Sequence, residues 1–211
     1  MNNLLDSLLD LVFPPHCEVC KRDGKATLCS ACFEQVRFMK PSMGIHCVAA
    51  YDGVMKTAIH RFKFQKRKKL ADPLGILTVQ YLSQVQINMQ EIDTIIPVPL
   101  HPNRHRERGF NQVHHVAEVV SRYYGKPVLP ALERIRDTKP NYGLKREERY
   151  TNVEQAFRVT DSRSVYNKNI LLMDDIYTTG ATISECARTL KIAGARRIEI
   201  LSLSRAQEHE A

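Results

Sequence analysis

The chain has 211 residues, of which 43% are hydrophobic and 26% are charged, and this composition excludes a disordered or fibrous protein. The length accommodates one α/β domain with a small appendage, and no run approaches the roughly 18–20 apolar residues of a spanning helix. The net charge of +8 is concentrated in residues 101–150, which hold 11 Lys and Arg against 6 Asp and Glu, so we expect an anionic partner or a solvated basic surface. The N-terminus lacks the features of a secretory signal, and we expect a cytoplasmic protein.

The first chemical motif is a pair of Cys-x-x-Cys sequences with eight residues between them. Each turn can aim two thiolates at one ion, and two turns complete the tetrahedral four-sulfur shell that structural zinc prefers. A redox pair would not explain the duplication, and no further clue favours an iron–sulfur cluster. We predict a structural zinc site on Cys17, Cys20, Cys29 and Cys32. Cys47 and Cys186 lie in apolar patterns, and we expect both to be buried without a chemical role.

The chain divides into two predicted domains. Residues 3–12 have the pattern of a short amphipathic helix that ends at two prolines. Residues 41–44 have the composition of a linker. We therefore assign residues 1–43 to the helix and zinc finger and residues 44–211 to the larger domain.

Beyond the linker, apolar runs alternate between the periodicities of strands and helices. Strands are predicted over residues 47–51, 94–97, 169–174 and 197–202, and helices over residues 54–64, 70–86, 110–124 and 179–193. This alternation predicts an α/β fold with a doubly wound parallel sheet.

The most informative segment is residues 170–182, where four apolar residues precede two acids, an apolar residue, a spacer and Thr-Thr-Gly-Ala-Thr. A buried strand would deliver both carboxylates to the end of a parallel sheet, where ligands bind, and a phosphate would sit at the N-terminus of the following helix. Carboxylates can accept hydrogen bonds from ribose hydroxyls, and the residues of the turn can hold a 5′-phosphate. The alternative is a generic acidic pair followed by capping threonines. The predicted ligand-binding residues are Asp174, Asp175, Thr178, Thr179, Gly180, Ala181 and Thr182. The two acids are also the predicted catalytic residues.

This segment resembles the phosphoribosyl-pyrophosphate (PRPP) motif of type I phosphoribosyltransferases at all thirteen positions. Two further segments fit around it. Residues 95–112 run from a strand through a basic loop into a helix, and Arg104, Arg106 and Arg108 with the backbone of Gly109 could clamp a pyrophosphate. Residues 136–153 are polar and rich in turn residues, which is typical of a mobile flap. Each of these two segments could instead be an exposed basic loop.

Residues 61–69 interleave two aromatic residues with six basic side chains, a mixture that could follow a nucleic-acid backbone and stack on bases. The basic residues are Arg61, Lys63, Lys66, Arg67, Lys68 and Lys69. The alternative is that Phe62 belongs to the core, at the end of a helix whose last turn is favourably basic.

Taken in order, the two cysteine motifs, Pro97-Val98-Pro99, Arg108–Gln112, the flap and the PRPP motif resemble the ComF family and its ComFC- and GntX-like members. The resemblance implies a type I phosphoribosyltransferase-like domain behind a zinc finger, with Mg²⁺ accompanying PRPP. It also implies a role in natural transformation, assisting uptake of single-stranded DNA with a helicase-like ATPase at the inner face of the membrane. An active phosphoribosyltransferase that transfers phosphoribose to a nitrogen nucleophile is the alternative, and a PRPP sensor is a third. Turnover is left open.

Overall fold

The computed structural model of this chain describes residues 15–42, 44–138 and 145–206. The helix predicted over residues 3–12 lies outside the described residues, as does the tip of the predicted flap, residues 139–144. The domain boundary predicted after residue 43 stays a prediction. Within the described residues, the longest helix has 13 residues, and none combines the length and the apolar character needed to cross a bilayer.

Six strands and seven α-helices form the described part of the chain. The strands are β1 (Ile45–Ala50), β2 (Thr94–Pro97), β3 (Leu132–Arg134), β4 (Phe157–Val159), β5 (Asn169–Tyr177) and β6 (Arg197–Arg205). The helices are α1 (Ser30–Glu34), α2 (Gly53–Phe64), α3 (Ala71–Leu82), α4 (Pro102–Arg108), α5 (Gln112–Tyr124), α6 (Arg146–Val153) and α7 (Ala181–Ile192).

A parallel sheet with the strand order β1-β6-β5-β2 forms the centre of the molecule. In β5, Leu171 and Met173 join a core that contains residues of α2, α3 and α5, whereas Ile170 and Leu172 join a second core with α7 and the antiparallel pair of β3 and β4. The strand is apolar at every one of these positions because helices cover both faces of the sheet. The predicted α/β class and the doubly wound parallel sheet are confirmed.

The segment between β2 and α5 differs from the prediction, because residues 102–108 form helix α4 and not a loop. Pro102 occupies the first helical position, where its fixed φ suits the helix and no backbone N–H is required for a helical hydrogen bond. The ring of His101 accepts a hydrogen bond from the backbone N–H of Asn103 at 3.3 Å, and Gly109 ends the helix with a φ of +80°. The basic side chains of this segment are therefore displayed at helical spacing.

The sequence patterns also missed the antiparallel pair of β3 and β4 and helix α6, which lies between them in the chain. Each of the two strands has three residues, which is too short for an alternating pattern to be detected. Helix α6 occupies the second half of the predicted flap, and the backbone N–H of Lys145 donates to Glu148 Oε2 at 2.7 Å at its start. This capping contact favours a helix over the expected irregular loop.

The cysteine-rich module packs directly on the main core. Cys17, Cys32 and Val36 share a buried cluster with Val48 of β1 and Phe62 of α2. A guanidinium N–H of Arg61 also donates to the backbone carbonyl of Glu18, which lies inside the first Cys-x-x-Cys turn. The module is thereby fixed to the C-terminal end of α2.

Candidate ligand site

A cavity of about 400 Å³ opens at the carboxyl edge of the sheet, where β2 and β5 end. Five cationic side chains line it together with two carboxylates and two threonines: Lys63, Arg104, Arg108, Arg134 and Arg149, then Asp174 and Asp175, then Thr178 and Thr182. These groups come from five separate segments of the chain, and the ends of parallel strands bring them together. The excess of cations suits a ligand that carries several negative charges.

The two carboxylates of the predicted motif have different environments. Lys63 Nζ lies 2.7 Å from Asp175 Oδ1, and the side-chain amide of Gln112 donates to Asp175 Oδ2. Burial alone would raise the pKa of Asp175, but Lys63 and Gln112 hold that pKa below its ordinary value. Burial and the neighbouring Asp175 charge raise the pKa of Asp174 to about 7. Asp175 is thus an anchored anion, and Asp174 is the carboxyl group that can change its charge near neutral pH.

The turn after β5 has the shape that the threonine-rich motif predicts. Gly180 is the N-cap of α7 with a φ of +81°, and an ideal Cβ at this position would lie 2.5 Å from the hydroxyl oxygen of Tyr177. The buried Thr179 accepts a hydrogen bond from the backbone N–H of Ala181 at 3.4 Å. Thr178 and Thr182 line the cavity. Two threonines of this turn therefore face the cavity, while Thr179 and Gly180 shape the turn.

Helix α6 is connected to the same turn. The hydroxyl of Tyr150 donates to the backbone carbonyl of Thr179 at 2.8 Å, and the adjacent Arg149 lines the cavity. The second half of the predicted flap therefore forms a wall of the site and supports the turn at the start of α7.

The predicted three-arginine clamp is divided between two places. Arg104 and Arg108 line the cavity, and Arg108 Nη1 donates to Gln112 Oε1 at 2.5 Å. Arg106 instead donates to Asn103 and lines a neighbouring surface depression, which Arg104 also borders. The structure therefore brings two of the three arginines to the carboxylates.

Sequence reasoning missed Arg134 as a site residue. This arginine is 8% exposed, its guanidinium lies 5.3 Å from the centre of the Phe157 ring, and it donates to Thr138 Oγ1. Burial, followed by repulsion from Arg104, lowers its pKa. Its Nε is buried and has no hydrogen-bond partner among the described residues. The only sequence signal was a basic residue in a short strand, which is too weak to identify a site.

The basic segment predicted to bind nucleic acid is not one continuous surface. Phe62 is 1% exposed and belongs to the core, whereas Phe64 is 64% exposed and lines the cavity. Lys63 faces the carboxylates, and Arg61 contacts Glu18. Exposed positions are occupied by Lys66, Arg67, Lys68 and Lys69. Lys63 is thus placed in the ligand site, and the four residues after it lie on the adjacent surface.

The four cysteines of the two motifs form a second cluster. Their sulfur atoms all lie within 4.8 Å of one another, with 3.8 Å between Cys17 and Cys32 and 3.6 Å between Cys20 and Cys29. Zinc–sulfur bonds of about 2.3 Å in a tetrahedron give sulfur separations of about 3.8 Å. Burial would raise the pKa of the Cys17 thiol, but backbone N–H groups, first that of Cys29, lower it to about 6. Burial and the neighbouring cysteines raise the pKa of the Cys32 thiol, so the lowered pKa belongs to Cys17. The sulfur separations are those of a structural zinc site.

Comparisons with known proteins match most of the chain. Residues 8–54 match the model of the double zinc ribbon domain family. The DNA utilization protein YhgH of Escherichia coli O6:H1 is 30% identical over 205 residues, covering 90% of this chain and 89% of that protein. The competence protein ComFC of Streptococcus pneumoniae is 30% identical over 202 residues, covering 95% and 85%, and the competence protein F of Haemophilus influenzae is 29% identical over 201 residues, covering 91% and 85%. Among solved structures, the glutamine PRPP amidotransferase of B. subtilis superposes with a TM-score of 0.47 at 15% identity, over 68% of this chain and 30% of that longer chain.

Proposed function

This chain belongs to the ComF family, and from this premise we propose that it is a ComFC-type competence protein that binds PRPP or a related phosphorylated sugar. We propose further that it assists the uptake of single-stranded DNA together with a helicase-like ATPase. The names of the relatives support the competence role, because two of them are competence proteins and one is a DNA utilization protein.

The observation that carries the ligand proposal is the mixed charge of the cavity. Four arginines and Lys63 line it beside Asp174 and Asp175. A ligand of phosphate groups alone would be repelled by the carboxylates, and a neutral sugar would not balance the excess positive charge of the lining. A phosphorylated sugar satisfies both groups, because its hydroxyls donate to carboxylates and its phosphates accept from guanidinium groups.

The position of each group favours PRPP over a simple sugar phosphate. Thr178 and Thr182 stand at the N-terminus of α7, where a 5′-phosphate would be stabilised by the helix dipole. Arg104 and Arg108 line the cavity from helix α4 and Arg134 lines it from strand β3, where they suit a second, pyrophosphate group. Mg²⁺ would enter bound to that pyrophosphate, whose charge it would neutralise.

Calorimetric titration of the zinc-loaded protein with PRPP and Mg²⁺ tests the ligand site. We expect wild-type protein to bind, and Asp174→Asn and Asp175→Asn to bind at least tenfold more weakly, since a hydrogen bond to a charged group contributes about 1.5–3 kcal/mol. Asp72→Asn is the matched control, because Asp72 pairs with Arg122 on the exposed surface, away from the cavity. Equal affinity of all four proteins would contradict the site, and pyrophosphate release during the titration would establish turnover.

The proposed binding of single-stranded DNA is tested by fluorescence anisotropy of a labelled single-stranded oligonucleotide over a salt series. Binding to Lys66, Arg67, Lys68 and Lys69 should weaken with salt, with a log–log slope of about −0.7 for each neutralised phosphate. No binding at low salt would overturn the DNA role and leave the ligand site unaffected.

A further inference from the structure

Phe64 is an exposed aromatic side chain at the edge of a polar cavity. It is the last residue of α2, and 64% of it is exposed, although it lines the same cavity as Asp175 and Arg108. Its neighbour two positions earlier, Phe62, fills the core at 1% exposure. The core is therefore complete without Phe64, and the ring has no packing role in the described fold.

The surroundings of Phe64 hold the ring in place at the cavity. The guanidinium of Arg108 lies over the ring at 5.6 Å from its centre, and the ring of His60, one helical turn earlier, lies at 5.0 Å. A ring held by a cation–π contact loses little conformational entropy when a flat ligand stacks on it. The preceding residue, Lys63, pairs with Asp175, so the exposed ring and the cation that holds this carboxylate share one helix end.

We propose that Phe64 is a stacking platform for an aromatic base, so that the cavity takes a nucleoside 5′-phosphate as well as a bare phosphorylated sugar. The sugar would lie at Asp174, the phosphate at the start of α7, and the base on Phe64. This inference rests on the proposed function, because it places the sugar and the phosphate in the same site. A cavity of about 400 Å³ falls within the range of about 300–1,000 Å³ that small-molecule sites occupy.

The ligand chemistry has two sources, a free nucleotide and the 5′-phosphorylated end of a single strand. The exposed basic residues 66–69 directly follow Phe64 in the chain. A strand whose terminal base stacks on Phe64 could place its following phosphates on these residues. The terminal deoxyribose of such a strand has no 2′-hydroxyl and an esterified 3′ oxygen, so it has no hydroxyl to donate to Asp174 or Asp175, and a free ribonucleotide fits the site better. The experiment must therefore compare free nucleotides with oligonucleotides of defined 5′ end.

The chain contains no tryptophan, so Phe64→Trp introduces a single fluorescent reporter at the platform. We expect its emission to be quenched by AMP. It should change much less with ribose 5-phosphate, which has no base, and with a 5′-phosphorylated oligodeoxynucleotide, whose terminal sugar has no free hydroxyl for the carboxylates. Quenching by AMP alone would assign the site to free nucleotides. Tyr123→Trp is the control, since Tyr123 is 69% exposed on α5 and outside the cavity lining.

Calorimetry of Phe64→Ala gives the second measurement. We expect the affinity for AMP to fall roughly 5- to 150-fold, the effect of losing one stacked base, while the affinity for PRPP changes less than about twofold. Phe64→Tyr should restore AMP binding. Unchanged AMP affinity in Phe64→Ala, or equal losses for AMP and PRPP, would overturn the platform. If wild-type protein binds PRPP in either case, the proposed function stands while this inference fails; if it binds neither ligand, both fail.

Discussion

Replacing Lys63 by methionine leaves a buried carboxylate without its cation. The side chains of Lys63 and Asp175 are 14% and 12% exposed, and Nζ lies 2.7 Å from Oδ1. Methionine keeps the length and apolar stem of lysine but removes the charge. Because breaking one partner of a buried ion pair costs roughly 3–5 kcal/mol, we expect the free energy of unfolding of Lys63→Met to fall by about that amount. Urea unfolding of the zinc-loaded protein at pH 7.5 measures it.

A double-mutant cycle separates the ion pair from the packing of the lysine stem. Asp175→Asn removes the carboxylate and keeps an amide that can pair with Gln112, so Lys63→Met with Asp175→Asn should recover roughly half or more of the loss. A loss below about 1 kcal/mol in Lys63→Met, or strictly additive losses in the double variant, would refute the argument that the pair is buried and coupled.

The stability loss of Lys63→Met should depend on pH, because it depends on the charge of Asp175. In the wild-type protein the pKa of Asp175 is lowered from its ordinary value of 3.8, so its contribution to stability is present above that value and is lost as the pH falls through the lowered pKa. In Lys63→Met, burial is no longer opposed by the lysine and should raise the pKa of Asp175. The penalty of Lys63→Met should therefore shrink as the pH is lowered from 7.5 to 5, and a penalty that grows over this range would contradict the assignment.

Two other changes test the turn and the metal site. Gly180→Ala would put a Cβ 2.5 Å from the Tyr177 hydroxyl at a φ of +81°, so calorimetry should show weaker PRPP binding, and urea unfolding should show a loss of stability above the roughly 1–2 kcal/mol of the left-handed backbone alone. Gly125→Ala is the control, because it has a φ of +67° and no atom within 4 Å. Equal losses of stability in the two variants would contradict the role of the Tyr177 contact. Cys17→Ala should lose the zinc that metal analysis finds in wild-type protein and should unfold at a lower urea concentration. Cys47→Ala is the control and should retain one zinc per chain. A full zinc content in Cys17→Ala would exclude the four-cysteine site.

Local patterns in the sequence were sufficient for the zinc cluster and for the turn at Gly180. Two Cys-x-x-Cys turns need only their own spacing to present four thiolates, and the acids followed by Thr-Thr-Gly-Ala-Thr define a strand, a turn and a helix start within thirteen residues. The apolar run of β5 also predicted a strand buried on both faces, which the two cores confirm. Each of these features depends on residues that are neighbours in the chain.

The tertiary structure alone decided which charges meet. Lys63 had the pattern of a surface nucleic-acid contact, but the packing of α2 against the sheet carries it to Asp175. Arg134 reaches the cavity from a strand too short to be predicted, while Arg106 on helix α4 does not line the cavity. Sequence periodicity encodes the buried face of an element, whereas the pairing of distant charges depends on how the elements pack, because a buried charge is stable only beside the partner that the fold supplies.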